Sequence, residues 1–149
     1  MPKKLKKNRK KKGFTLIELV IVLAVLAVIA VIAIPNFTKV RNNALIDSDY
    51  RAAESIEKIT LMGIASGDIP STVANFEVAK DGVITGDLSN YQNGKDLFRD
   101  ANGPQVPGAG DKFVVKINSE TGQVTVEHAT PGITFGNIKI DAILAGPKQ

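Results

Sequence analysis

The sequence predicts an α+β chain with a long helical N-terminal part and a small antiparallel β-rich C-terminal domain, on three observations. Every residue from Leu19 to Ile34 is Ala, Val, Leu or Ile. From Pro35 to about Ser66 the apolar residues recur at helical spacing among charged ones, as on an amphipathic helix. After Gly67 and Pro70, short alternating apolar segments are separated by Gly, Asn, Asp and Pro, the pattern of strands and turns. The 149 residues suffice for one small globular domain once the apolar segment is set apart. With no cysteine in the chain, disulfides, thiolate metal sites and thiol nucleophiles are excluded.

The first element is basic. The segment MPKKLKKNRKKK carries eight of the nineteen Lys and Arg, and all fifteen acidic residues lie at or after Glu18. Past Lys12 there are eleven basic against fifteen acidic residues, a net −4. The high isoelectric point therefore belongs to the tail, and the body is mildly acidic. The tail lacks the interleaved aromatics or motif that would mark a nucleic-acid surface, so nucleic acid is not its expected partner. Directly ahead of an apolar span, the same charges retain an N-terminus in the cytoplasm.

The second element is the span. Phe14 to Ile34 is 21 residues, or roughly 31 Å of helix, against a hydrocarbon core of about 30 Å. It is apolar on all sides, so no wet face remains and its expected surroundings are lipid or other apolar helices. A cleaved secretory signal with Val31-Ile32-Ala33 as its cleavage motif is one rival reading, but sixteen uninterrupted apolar residues are long for such a segment. A plain single-span anchor for a binding domain or an enzyme is the other. Neither uses Glu18, an acidic residue early in a span, which by default is a functional residue in need of a partner.

Pro35 ends the span. It lacks an N–H and disfavours α geometry at Ile34, so a kink or a locally opened turn is expected there. Beyond it, Leu45, Ala52, Ile56, Ile59 and Gly63 define the expected buried face, with Arg41, Asp47, Asp49, Glu54, Glu57 and Lys58 elsewhere. Gly67 and Pro70 are the expected stop.

In the C-terminal domain, residues 113–118 and 123–127 flank Ser119-Glu120-Thr121-Gly122 and predict a hairpin, with Val115 and Ile117 facing Val124 and Val126. A second hairpin is expected from 76–80 and 83–85 across Asp81-Gly82, and a further strand from 137–142. Residues 88–110, rich in Asn, Gly, Asp and Pro, read as a long surface loop.

Catalytic signatures are sparse. His128 has no second histidine or cysteine to join it and is expected at a surface or sheet edge. Asp100-Ala101-Asn102-Gly103 matches a fragment of a calcium loop, but Phe98 and Ala109 stand where ligands belong. Gly108-Ala109-Gly110 lacks the rest of a phosphate fingerprint. No catalytic residue, metal or cofactor is expected.

The stretch from Lys12-Gly13-Phe14-Thr15-Leu16-Ile17-Glu18 through the apolar run to Pro35 resembles the N-terminal signature of type IV pilins and related pseudopilins. The likeness covers about 25 residues and joins a basic leader, a Gly-Phe junction, an early glutamate and a full span. It implies one long helix, lipid-embedded in its first half and packed on a sheet in its second. It also implies four segments: a leader (1–13) removed by a prepilin peptidase, a transmembrane and filament-core helix (14–34), the helix's amphipathic half (35–66) and the globular domain (67–149). By the same resemblance the peptidase cuts after Gly13 and methylates Phe14, and Glu18 neutralises the Phe14 ammonium of a neighbour in a filament. The local alternative leaves Glu18 bonded to its own N-terminus or reaching headgroups. The implied partners are copies of the chain, the peptidase, an inner-membrane platform with its cytoplasmic ATPase, and membrane lipid before assembly. The implied location is a bacterial or archaeal-type cell membrane, N-terminus in the cytoplasm, and then a cell-surface pilus serving adhesion, motility or DNA uptake. A pseudopilin of type II secretion is the alternative. Its usual C-terminal calcium loop is not found, and neither is the disulfide of many pilins.

Overall fold

The computed structural model describes residues 13–147. The chain divides into two compact units, Met1–Thr38 and Lys39–Gln149. Of the basic leader expected over residues 1–13, residues 1–12 lie outside the described residues.

The first element, α1, spans Leu16–Ser66 with Pro35 inside it. It begins two residues later than the sequence suggests. In the first unit its apolar side chains are exposed, Val20 and Leu26 as much as Ile34.

In the second unit α1 buries Ile46, Asp49, Ala53, Ile56, Thr60 and Gly63, a 3-4-3-4 spacing that keeps one stripe facing the core. The stripe is rotated from the expected one: Leu45, Ala52 and Ile59 flank it, half-buried. Gly63 sits in the stripe because a Cβ there would lie 2.7 Å from Ile69 Cδ1 and 2.8 Å from Leu97 Cδ1. The helix stops where expected, with Gly67 at φ 85° and Ile69 N–H donating to Gly63 O at 3.0 Å, a left-handed C-terminal cap.

The sheet is five-stranded and antiparallel: β1 (Asn75–Ala79), β2 (Ile84–Gly86), β3 (Lys112–Ile117), β4 (Val124–His128) and β7 (Ile143–Ala145), in the order β2-β1-β3-β4-β7. Both expected hairpins form. Val115 pairs with Val126 and Ile117 with Val124, and Phe76 and Val78 pair with Gly86 and Ile84. Asn118 organises the β3–β4 turn, its Oδ1 accepting from Glu120 N–H at 2.9 Å and Thr121 N–H at 3.1 Å, which is how a short polar side chain stabilises a tight turn. On the sheet surface Glu77 accepts from Lys112 Nζ at 2.6 Å and from Thr85 Oγ1 at 2.7 Å. These two partners hold its carboxyl below the usual carboxylate range.

Three expectations need correction. The strand expected over 137–142 is replaced by a small separate hairpin, β5 (Thr134–Phe135) with β6 (Ile138–Lys139), and the fifth strand of the main sheet is β7. Gly136 at φ 57° and Asn137 at φ 69° make the two-residue turn whose twist suits a hairpin, so the chain reverses where a strand was expected to begin.

Residues 88–110 are not a surface loop. They contain the end of a 3₁₀ turn (Asp87–Asn90) and α2 (Gln92–Asp96), and Leu88, Phe98, Val106 and Ala109 lie in the core. Phe98 meets Phe76 with ring centroids 5.2 Å apart at 58°, a tilted aromatic pair. Composition marked this stretch as irregular, and it is, but four apolar side chains anchor it inward.

Finally, His128 is neither at the surface nor at a sheet edge, and Asp49 is not on the solvent face. Each side chain is 1% exposed, and His128 Nε2 lies 2.9 Å from Asp49 Oδ2. Asp49 Oδ1 accepts from Gln105 N–H at 2.6 Å and Oδ2 from Val106 N–H at 3.1 Å. His128 stacks on Phe113 at 5.5 Å, and its Nδ1 is buried without a partner. Two backbone N–H groups and a ring nitrogen of His128 stand where water would otherwise solvate the Asp49 side chain, which is what lets so polar a group be buried.

Two outcomes are expected for the detergent-solubilised full chain. Phe98→Ala should cost about 3–5 kcal/mol in denaturant unfolding; a change below about 1 kcal/mol, the range of a surface site, would contradict its core placement. Asp49→Asn should cost about 3 kcal/mol or more, since it replaces one acceptor oxygen by an NH2 donor that faces other donors, and amide exchange at Gln105 and Val106 should speed up selectively.

Candidate processing and assembly segment

The segment is built at the start of α1. Thr15 precedes the helix, and its Oγ1 accepts from Glu18 N–H at 3.3 Å, while Glu18 Oε2 accepts from Thr15 N–H and Thr15 Oγ1, each at 2.8 Å. This reciprocal arrangement is a capping box, which satisfies helix-start N–H groups that have no partner within the helix. Thr-x-x-Glu ahead of an apolar run is a sequence signal for it. The reading of Glu18 as a charge seeking a distant partner passed over Thr15, its neighbour in this chain. In this chain Glu18 thus has a local role, and both bonds to its carboxylate use Oε2.

The cap places Gly13 and Phe14 outside the helix. Phe14 is 93% exposed, and a Cβ built on Gly13 would meet nothing within 4 Å. The Gly13-Phe14 peptide is therefore exposed and lies ahead of Leu16, the first helical residue.

The helix that follows has a mean hydropathy of 3.3 in its most apolar 18-residue window, and none of that window is buried. It is long and apolar enough to cross a membrane. At its far end, Asn36 Nδ2 donates to Ile32 O at 3.2 Å and Thr38 Oγ1 to Ile34 O at 3.1 Å. These side chains supply donors to carbonyls around Pro35, which itself can donate none. Phe37 and Val40 remain 72% and 66% exposed.

Among the described residues, no group of three or more His, Asp or Glu sits together as a metal site. The concavities are shallow and lined from the second unit; one, of about 540 Å³, runs along α1 beside Asp100 and Asn102.

A capped, uncovered apolar helix behind an exposed Gly-Phe junction, followed by a helix stripe on an antiparallel sheet, defines a membrane-anchored protein of the prepilin class. Residues 8–34 match the family model of the prokaryotic N-terminal methylation motif. The chain is 35% identical over 118 residues to the prepilin peptidase-dependent protein A of Clostridium perfringens, an alignment covering 76% of this chain and 82% of that protein. No solved structure gives a significant match. This chain belongs to the type IV pilin-like family, a family of structural proteins.

Proposed function

We infer that the chain is the precursor of a type IV pilus subunit: cut after Gly13, methylated at Phe14 and polymerised into a helical filament through residues 14–34. The observation that carries this reading is the uncovered helix. Its side chains from Leu16 to Ile34 find no cover among the described residues, so lipid suits it as a monomer and other apolar helices suit it in an assembly.

Gly13 supports the cleavage step. Among the described residues nothing crowds its missing Cβ, which leaves the glycine free to answer to an outside requirement. A protease cleft that takes an extended, unobstructed backbone supplies one. The relative's name, prepilin peptidase-dependent, agrees with a peptidase as that partner.

Cleavage would create an ammonium at Phe14, four residues from Glu18 and next to Thr15. A Glu18 pair with the ammonium of a neighbouring subunit adds little net stability, since both charges lose hydration, but it fixes how far one helix slides along another. Thr15 holds Oε2, so Oε1 is the oxygen left for that pair. Assembly would draw the subunit from the membrane through a platform powered by a cytoplasmic ATPase. The filament would serve adhesion, motility or DNA uptake.

Mass spectrometry of membrane and sheared-surface fractions tests the processing. The expected chain starts at Phe14 with one added methyl group; a Met1 start, or cleavage after Ala33, would sink the reading. For Glu18→Ala, processing after Gly13 should continue while sheared filaments disappear. Normal filaments from that variant would remove the register role.

A further inference from the structure

Two features of the chain are unused by this function. One is the concavity of about 540 Å³ along the second half of α1, whose lining includes Ala44, Ala52, Ile56 and Ile59. The other is Phe37, a phenylalanine left 72% exposed.

Lipid is a poor explanation for Phe37. Leu16 to Ile34 of α1 already extends roughly 28 Å, close to the hydrocarbon thickness of about 30 Å. Phe37 comes three residues later, at the edge of that length, among Asn36, Thr38, Lys39 and Arg41. An aromatic side chain carries about 150–250 Å² of burial, enough to dominate an interface, and here no core takes it up among the described residues.

The electrostatics of the two features are opposite. Lys39 and Arg41 follow Phe37, and no acidic residue occurs between Glu18 and Asp47. The concavity is bordered by Asp47 and Asp100 against a single Arg51, a net negative charge. Apolar matter in the middle and opposite charges at the rim are what two complementary surfaces require.

We propose that this concavity receives Phe37 of a second copy of the chain, with that copy's Lys39 and Arg41 beside Asp47 and Asp100. The proposal rests on the filament reading and deepens it. Knob and groove are different patches, and in a helical filament each copy offers its knob to one neighbour and its groove to another. Heterologous contacts of that kind build open helical assemblies unless the rotation happens to close a ring. Phe37 and the groove would thereby extend the subunit interface beyond the apolar core helices.

The absence of cysteine makes the test direct. The full chain carrying Phe37→Cys and Ala52→Cys is expressed in cells that make filaments, and sheared filaments are oxidised and run on a non-reducing gel. A ladder of multimers is expected from the double variant, and monomer from either single variant. Filaments of the double variant without a ladder would overturn the contact and leave the filament reading standing. If the unsubstituted chain makes no filaments, that reading falls and the contact with it. Should the cysteines impair assembly, charge reversal decides: Asp47→Lys with Asp100→Lys should lower sheared filament yield about tenfold, and adding Lys39→Glu with Arg41→Glu should restore it. Failure to restore while the unsubstituted chain assembles would overturn the proposal, pointing instead to Phe37 in the lipid interface or to a different occupant of the groove.

Discussion

In the second unit, helix, sheet and the long connection between them meet at one buried carboxylate. Asp49 sits in the middle of the α1 stripe and takes two backbone N–H groups from residues 105 and 106 and the imidazole of His128. The connection it holds carries Pro104, Pro107, Gly108 and Gly110, residues that support neither a helix nor a sheet ladder. Its backbone groups therefore need partners from outside, and a buried N–H without one is costly. Asp49 supplies two of those partners at once and gains the donors that make its own burial tolerable. In a chain with no disulfide to pin this stretch, Asp49, Phe98 and Val106 together tie it down.

The first unit obeys the opposite rule. A domain core is stable because apolar surface leaves water, yet α1 from Leu16 to Ile34 leaves that surface uncovered. Such a helix needs surroundings that the chain does not supply, so its chemistry is defined by partners: lipid first, copies of itself in the proposed filament. The capping box at Thr15 and Glu18 settles the local problem of starting a helix near a membrane boundary, where unpaired N–H groups are costly. It also leaves the Gly13-Phe14 junction outside the helix.

Legibility in the sequence followed the range of the interactions. The hairpins at 118–122 and 81–82 were readable because turn residues and alternation act over a few positions, and the register of Val115 with Val126 came out as expected. The helix stop at Gly67 was readable for the same reason. Asp49 and His128 were not: they are 79 residues apart, and an Asp among charged helix residues looks like any solvent-facing one. Phe98 and Val106 were hidden by their neighbours, since a composition dominated by Gly, Pro and Asn reports the backbone's irregularity and says nothing of where isolated apolar side chains point. Two misses had local signals, the Thr-x-x-Glu box at residue 15 and the Gly-Asn turn between Phe135 and Ile138.

The family signature, the span and its junction are written in the order of residues 12–35, because a membrane helix is specified by length and apolarity and a cleavage site by adjacent residues. Folding was needed to choose which face of α1 meets the sheet, which side chains of the long connection turn inward, and where the last strand lies. Those choices depend on which distant groups can pack and satisfy one another's hydrogen bonds, and in this chain a single carboxylate on α1 sets much of that outcome.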